Sequence, residues 1–122
     1  MKSLIIISAL IALLSANAAY AWSKEGRTFV RTMQAYNDPQ KTSSFSAGNF
    51  VGYVEGVADS TFGTHYCAPG DVNFETLFDI VSNYLNSHPE LWEVSAYVIV
   101  VEALNEAFPC RAETIQPFTS PH

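Results

Sequence analysis

The chain has 122 residues, with 6 Lys+Arg, 12 Asp+Glu and 2 Cys, and a formal charge of −6. That length suits one domain. The acidic balance excludes a basic face for nucleic-acid phosphates or an electrostatic hold on anionic lipid. At 48% hydrophobic and 15% charged residues, the chain is not disordered by composition.

Residues 1–21 read as a secretory signal peptide. Met1 and Lys2 form a short basic start, and Leu4 to Leu14 is an apolar run broken only by Ser8. Ala19-Tyr20-Ala21 then offers a small-x-small cleavage site before Trp22, with Ala16-Asn17-Ala18 as a second candidate. The rival reading, an uncleaved anchor, is disfavoured because eleven helical residues rise roughly 16 Å, about half of a bilayer core. The expectation is export to the periplasm with no stable membrane association afterwards. Cleavage after Ala21 removes Lys2 and leaves 101 residues with 5 basic and 12 acidic side chains, so the exported part carries −7.

Four segments carry helical periodicity. Lys24 to Asn37 places Phe29, Val30, Met33 and Tyr36 at 3–4 spacing, and Asp38-Pro39 ends it. Ser46 to about Phe62 gathers Phe50, Val51, Val54, Val57, Ala58 and Phe62 in one sector. On its other side Gly48, Gly52 and Gly56 recur every four residues. Each glycine costs a helix about 1 kcal/mol relative to alanine. The stripe is therefore expected to be offset by close approach of another helix, as a packing or dimer face.

The third segment starts after a loop over Gly63 to Asp71, with Asn73 as its cap. Phe74, Leu77, Phe78, Val81, Tyr84 and Leu85 line one face. Glu75, Asp79, Ser82, Asn83 and Asn86 line the other. Ser87 to Glu90 fits a capping box that restarts the chain as a fourth helix running to about Phe108. That helix is apolar nearly all round, apart from Ser95, Glu102 and Glu106, and belongs in the centre of the core. Val98 to Val101 also suits a buried strand, but length and glutamate spacing favour helix. The expected architecture is all-α: a compact bundle of four to five helices over residues 22–110, followed by a loose tail at 111–122.

Cys67 and Cys110 both fall in the exported part, where disulfides persist. With two cysteines only one intramolecular pairing exists. The rival readings are an intermolecular bridge or a reactive thiol, and only Arg111 flanks either cysteine with a cation. No spacing builds a catalytic or metal site. His65 and His88 stand alone as bases, and His65 with Asp59 and Asp71 lacks the clustering a metal needs. Glu55 and Asp59, one turn apart, read as a solvated face, and the glycines do not follow a phosphate-loop spacing. Neither an enzyme nor a cofactor is expected.

Four blocks in order carry a family resemblance: residues 50–59 (FVGYVEGVAD), Cys67-Ala68-Pro69, residues 84–90 (YLNSHPE) and residues 103–110 (ALNEAFPC). Together they resemble the Rap/Tai family of immunity proteins for type VI secretion amidase effectors. The resemblance implies a small, exported, all-helical protein, commonly a homodimer, which binds a cognate peptidoglycan amidase and blocks its cleft. It also implies a structural disulfide between the exit of the second helix and the end of the fourth. It brings no catalytic residues.

The expected partner-binding surface is the loop carrying His65, Tyr66, Asp71 and Asn73, with the junction at His88 and Glu90. The competing reading is that these residues only make turns and caps. The alternative functions are a periplasmic acid-stress chaperone and an envelope interaction module without a toxin partner. The chain lacks the lysine-rich ends expected of the chaperone class.

Overall fold

The computed structural model describes residues 24–111. The expected signal segment and the tail beyond Arg111 lie outside the described residues. Within them the chain forms helices α1 (Gly26–Asn37), α2 (Ser44–Thr61), α3 (Phe74–Ser87) and α4 (Ala96–Ala107), with a 3-10 segment (Pro89–Glu93) before α4. The all-α expectation holds, and Val98 to Val101 are helical.

The helix boundaries follow from caps and breakers. Ser43, Asn73 and Ser95 precede α2, α3 and α4, and their side-chain oxygens accept from the backbone N–H groups of Ser46, Thr76 and Val98. Each thereby satisfies one donor that the first turn leaves without a partner. α1 stops where Pro39 forbids helical geometry at Asp38. The Asp38 carboxylate then accepts from the N–H groups of Gln40 (3.0 Å) and Thr42 (3.1 Å) and from the Thr42 hydroxyl. These bonds, led by the Thr42 hydroxyl, hold the Asp38 carboxyl below its ordinary range.

α1 has no side-chain cap; its start is held by a different device. The Gly26 N–H donates to the Val94 carbonyl at 2.9 Å, and the Ala96 N–H donates to the Lys24 carbonyl at 2.8 Å. This short pairing ties the beginning of α1 to the turn before α4. It requires glycine, since a Cβ at position 26 would stand 2.5 Å from the Trp92 oxygen and 2.7 Å from the Val94 oxygen.

The core is one cluster drawn from all four helices. Its centre is aromatic. Phe50 of α2 stacks with Phe29 of α1, with ring centroids 5.3 Å apart, and contacts Tyr36 of α1 at 5.2 Å and Phe78 of α3 at 6.2 Å. Cys67 and Cys110 are joined, with Cα atoms 4.8 Å apart. The bridge ties the segment after α2 to the end of α4.

Four expectations are corrected. The fourth helix is not continuous from the Ser87–Glu90 region. Ser87 closes α3, the next turn is 3-10, and α4 starts at Ala96 because Ser95 supplies a new cap. The Trp92 indole N–H donates to the Leu85 carbonyl at 2.9 Å, which folds the 3-10 segment back on the end of α3. The expected capping box is absent; Glu90 bonds His88 instead. Nor is α4 enclosed on all sides, since Tyr97 and Val98 are exposed. Ser82, assigned to the wet face of α3, is buried and accepts from the Asn37 side-chain amide at 3.2 Å. One hydrogen bond to α1 thus compensates its desolvation.

The fourth correction concerns the glycines. A Cβ at Gly48, Gly52 or Gly56 would meet nothing within 4 Å. These positions lie on the outer face of α2, and among the described residues no helix packs there.

Candidate functional site

The segment from Phe62 to Asn73 connects α2 to α3 and is held at many points. Gly63, with φ of +80°, turns the chain in a conformation that side chains rarely adopt. Its N–H donates to the Tyr66 carbonyl at 2.7 Å, and the His65 N–H donates to Thr61 at 2.9 Å. The end of α4 closes the other side. The Cys67 N–H donates to the Phe108 carbonyl at 2.8 Å, and the Asn105 side-chain amide donates to the His65 carbonyl at 2.7 Å. The disulfide adds a covalent tie.

This frame shapes a groove of about 320 Å³ between the end of α2 and the start of α3. Its lining is mainly apolar: Phe62, Tyr66, Ala68, Val72, Phe74 and Leu77, with Asp59 on one side. Two aromatic rings stand at the rim, Phe62 at 58% exposed and Phe74 at 41%. The sequence reading placed both on buried faces. They escape burial because Phe62 is the residue after α2 and Phe74 the first of α3. Helical periodicity loses its authority at such ends.

The expected contact residues divide. His65 and Asp71 are exposed and free to meet a partner. Tyr66 is buried, 4% exposed, with its ring edge-on to Phe62 at 5.6 Å. Burial first, and then the charge of Asp59, raises its phenol pKa above the ordinary value. Asn73 is exposed, but its side-chain oxygen is engaged with the N–H (2.9 Å) and hydroxyl (2.8 Å) of Thr76. Tyr66 forms a wall and Asn73 a cap.

His88 and Glu90 lie elsewhere. They form an ion-pair geometry of 2.8 Å, and the His88 ring sits 4.3 Å from that of Tyr84. His88, Tyr84 and Glu106 border a second cleft of about 300 Å³ between α3 and α4. Partial burial, followed by the charges of Glu106, Glu102 and Glu90, raises the Tyr84 phenol pKa. The groove begins at the N-terminal end of α3 and His88 follows its C-terminal end. At 1.5 Å per residue these patches are roughly 20 Å apart. The fold therefore does not bring the two expected patches together; only an extended protein surface could touch both.

Among the described residues no three His, Cys, Asp or Glu side chains gather around a possible metal position. No helix there is long and apolar enough to cross a membrane. What stands out instead is a rigid apolar groove with exposed aromatic rims on a disulfide-tied scaffold.

The fold and the groove define a small all-helical domain with a preformed apolar surface site. The family model of Rap1a immunity proteins matches residues 15–110, and the chain belongs to that family. Membership implies immunity toward a toxin effector, and the family is not an enzyme family. No curated protein matches the chain.

Proposed function

We propose that this protein is a periplasmic immunity protein that binds a cognate type VI secretion peptidoglycan amidase effector and occludes its active site. The observation that carries this reading is the stiffness of the α2–α3 segment. It is tied to α4 by the disulfide and by two hydrogen bonds, from Cys67 N–H and from the Asn105 amide. A surface ordered before binding loses little conformational entropy in the complex, which favours tight, slowly dissociating inhibition. The formal charge of −6 also speeds encounter with a basic partner face. The exported compartment suits both the disulfide and an amidase target in the cell wall.

The test is direct. Stoichiometric purified protein is expected to abolish peptidoglycan cleavage by its cognate amidase. An amidase that stays fully active, with no complex on size exclusion, would remove the reading.

A homodimer through the outer face of α2 belongs to the same proposal. Three glycines weaken this helix by about 1 kcal/mol each, and nothing among the described residues packs against them to offset that cost. Phe45, 81% exposed, starts the same outer face. Gly52→Leu is expected to raise the helix's own stability, because the added side chain meets open space. It should also convert a sedimenting dimer to monomer. Equal sedimentation of both forms would exclude this face as the interface.

A further inference from the structure

We propose that the groove between the end of α2 and the start of α3 receives an apolar side chain of a protein partner, flanked in that partner by lysine or arginine. This rests on the immunity reading for the partner's identity, but its chemistry is set by the groove alone.

Shape comes first. The groove's volume of about 320 Å³ lies at the low end for binding pockets, so one large side chain fits and a small metabolite does not fill it well. Preorganisation comes second. Phe62 leans on Tyr66, and Phe74 stacks with Phe78 with centroids 6.4 Å apart and planes at 20°. The rims are thus exposed yet fixed, as at the aromatic centres that dominate protein interfaces.

Charge comes third. Asp59 lines the groove, Asp71 lies between the lining residues Gly70 and Val72, and Glu75 follows the lining residue Phe74. None of the lining residues is lysine or arginine. An apolar anchor between acidic neighbours would desolvate next to a carboxylate, so its own cationic neighbours compensate. The raised phenol of Tyr66 is consistent with the field of Asp59 reaching the groove wall. The cleft beside His88 is the weaker candidate, since its wall includes Glu106, Asn83 and Ser87 and it has no exposed aromatic rim.

The test needs no effector. The oxidised, isotope-labelled protein is titrated with acetyl-Lys-Leu-Lys-amide, and with the Glu-Leu-Glu and Lys-Ser-Lys analogues as controls. Amide shifts are expected at Asp59, Phe62, Ala68, Val72 and Phe74, and only with the first peptide. Phe62→Ser is expected to weaken binding at least tenfold, the scale of an interface hot spot. Asp59→Asn should weaken it about threefold, as for an exposed charge pair. Both variants should keep the native circular dichroism.

Three results would overturn the groove: no shifts at millimolar peptide, equal shifts with the glutamate analogue, or shifts centred on the His88 cleft. Concentration-dependent shifts at Phe62 and Phe74 without peptide would assign the groove to a second copy and also overturn it. Peptide binding by a protein that leaves the amidase active sinks the immunity reading alone. Full inhibition by Phe62→Ser, with no peptide binding by the parent, sinks the groove alone.

Discussion

Replacing Cys67 and Cys110 together by serine is expected to cost about 4 kcal/mol of folding stability. The reason lies in the unfolded chain. The cysteines are separated by 43 positions, and cross-linking a loop of that length removes a large part of the denatured chain's freedom. Small domains have net stabilities of only about 5–15 kcal/mol, so the bridge is a large share of the whole. Thermal unfolding should shift down by roughly 15–30 °C, at 4–8 °C per kcal/mol for a domain of this size.

Dithiothreitol should move the parent to the position of the double variant and leave the double variant unmoved. A double variant within 0.5 kcal/mol of the parent, on the order of a neutral surface change, would show that the bridge carries no stability. The loss should also reach function. Cys67 precedes Ala68 in the groove wall, and the bridge is the covalent tie between that segment and the end of α4.

The helical architecture was legible because the signals were redundant. Phe29, Val30 and Met33 repeat at helical spacing, and Asn73 and Asp38-Pro39 mark ends by independent chemistry; the Ser43 cap starts α2 at Ser44, two residues before the expected Ser46. The break before α4 was hidden by a local ambiguity. Ser87 and Ser95 both precede plausible helical runs, and the Trp92 indole bonded to the Leu85 carbonyl joins the Ser95 cap in selecting the later start. A contact seven residues back has no short sequence signature.

The candidate site was legible in place but not in composition. Reading polar residues in a loop pointed to His65, Tyr66, Asp71 and Asn73. The groove is built largely from the apolar neighbours, Phe62, Val72, Phe74 and Leu77. Periodicity assigns Phe62 and Phe74 inward because it treats a helix end like a helix middle. The glycine stripe shows the opposite error. Its regular spacing marks one side of α2, but no neighbour meets it among the described residues, and spacing cannot say whether a neighbour would lie in the same chain.

Phe50→Ala is expected to destabilise the protein by about 3–5 kcal/mol. Phe50 is fully buried, and its ring is the shared neighbour of Phe29, Tyr36 and Phe78 on two other helices. Removing it takes away the transfer energy of the ring and leaves a void that three aromatic walls, anchored on α1 and α3, can close only in part. The sharp control is Phe45→Ala on the same helix. That ring is 81% exposed in the single chain, so in the monomer, at low protein concentration, its loss should stay within about 0.5 kcal/mol. Urea unfolding of the two variants should therefore separate residues that composition cannot tell apart. Equal midpoints would mean that the aromatic cluster is not the centre of the fold. A large loss in both would instead assign Phe45 a buried role, as a dimer through the outer face of α2 requires. In that case the Phe45→Ala loss should grow with protein concentration, while the Phe50→Ala loss should not.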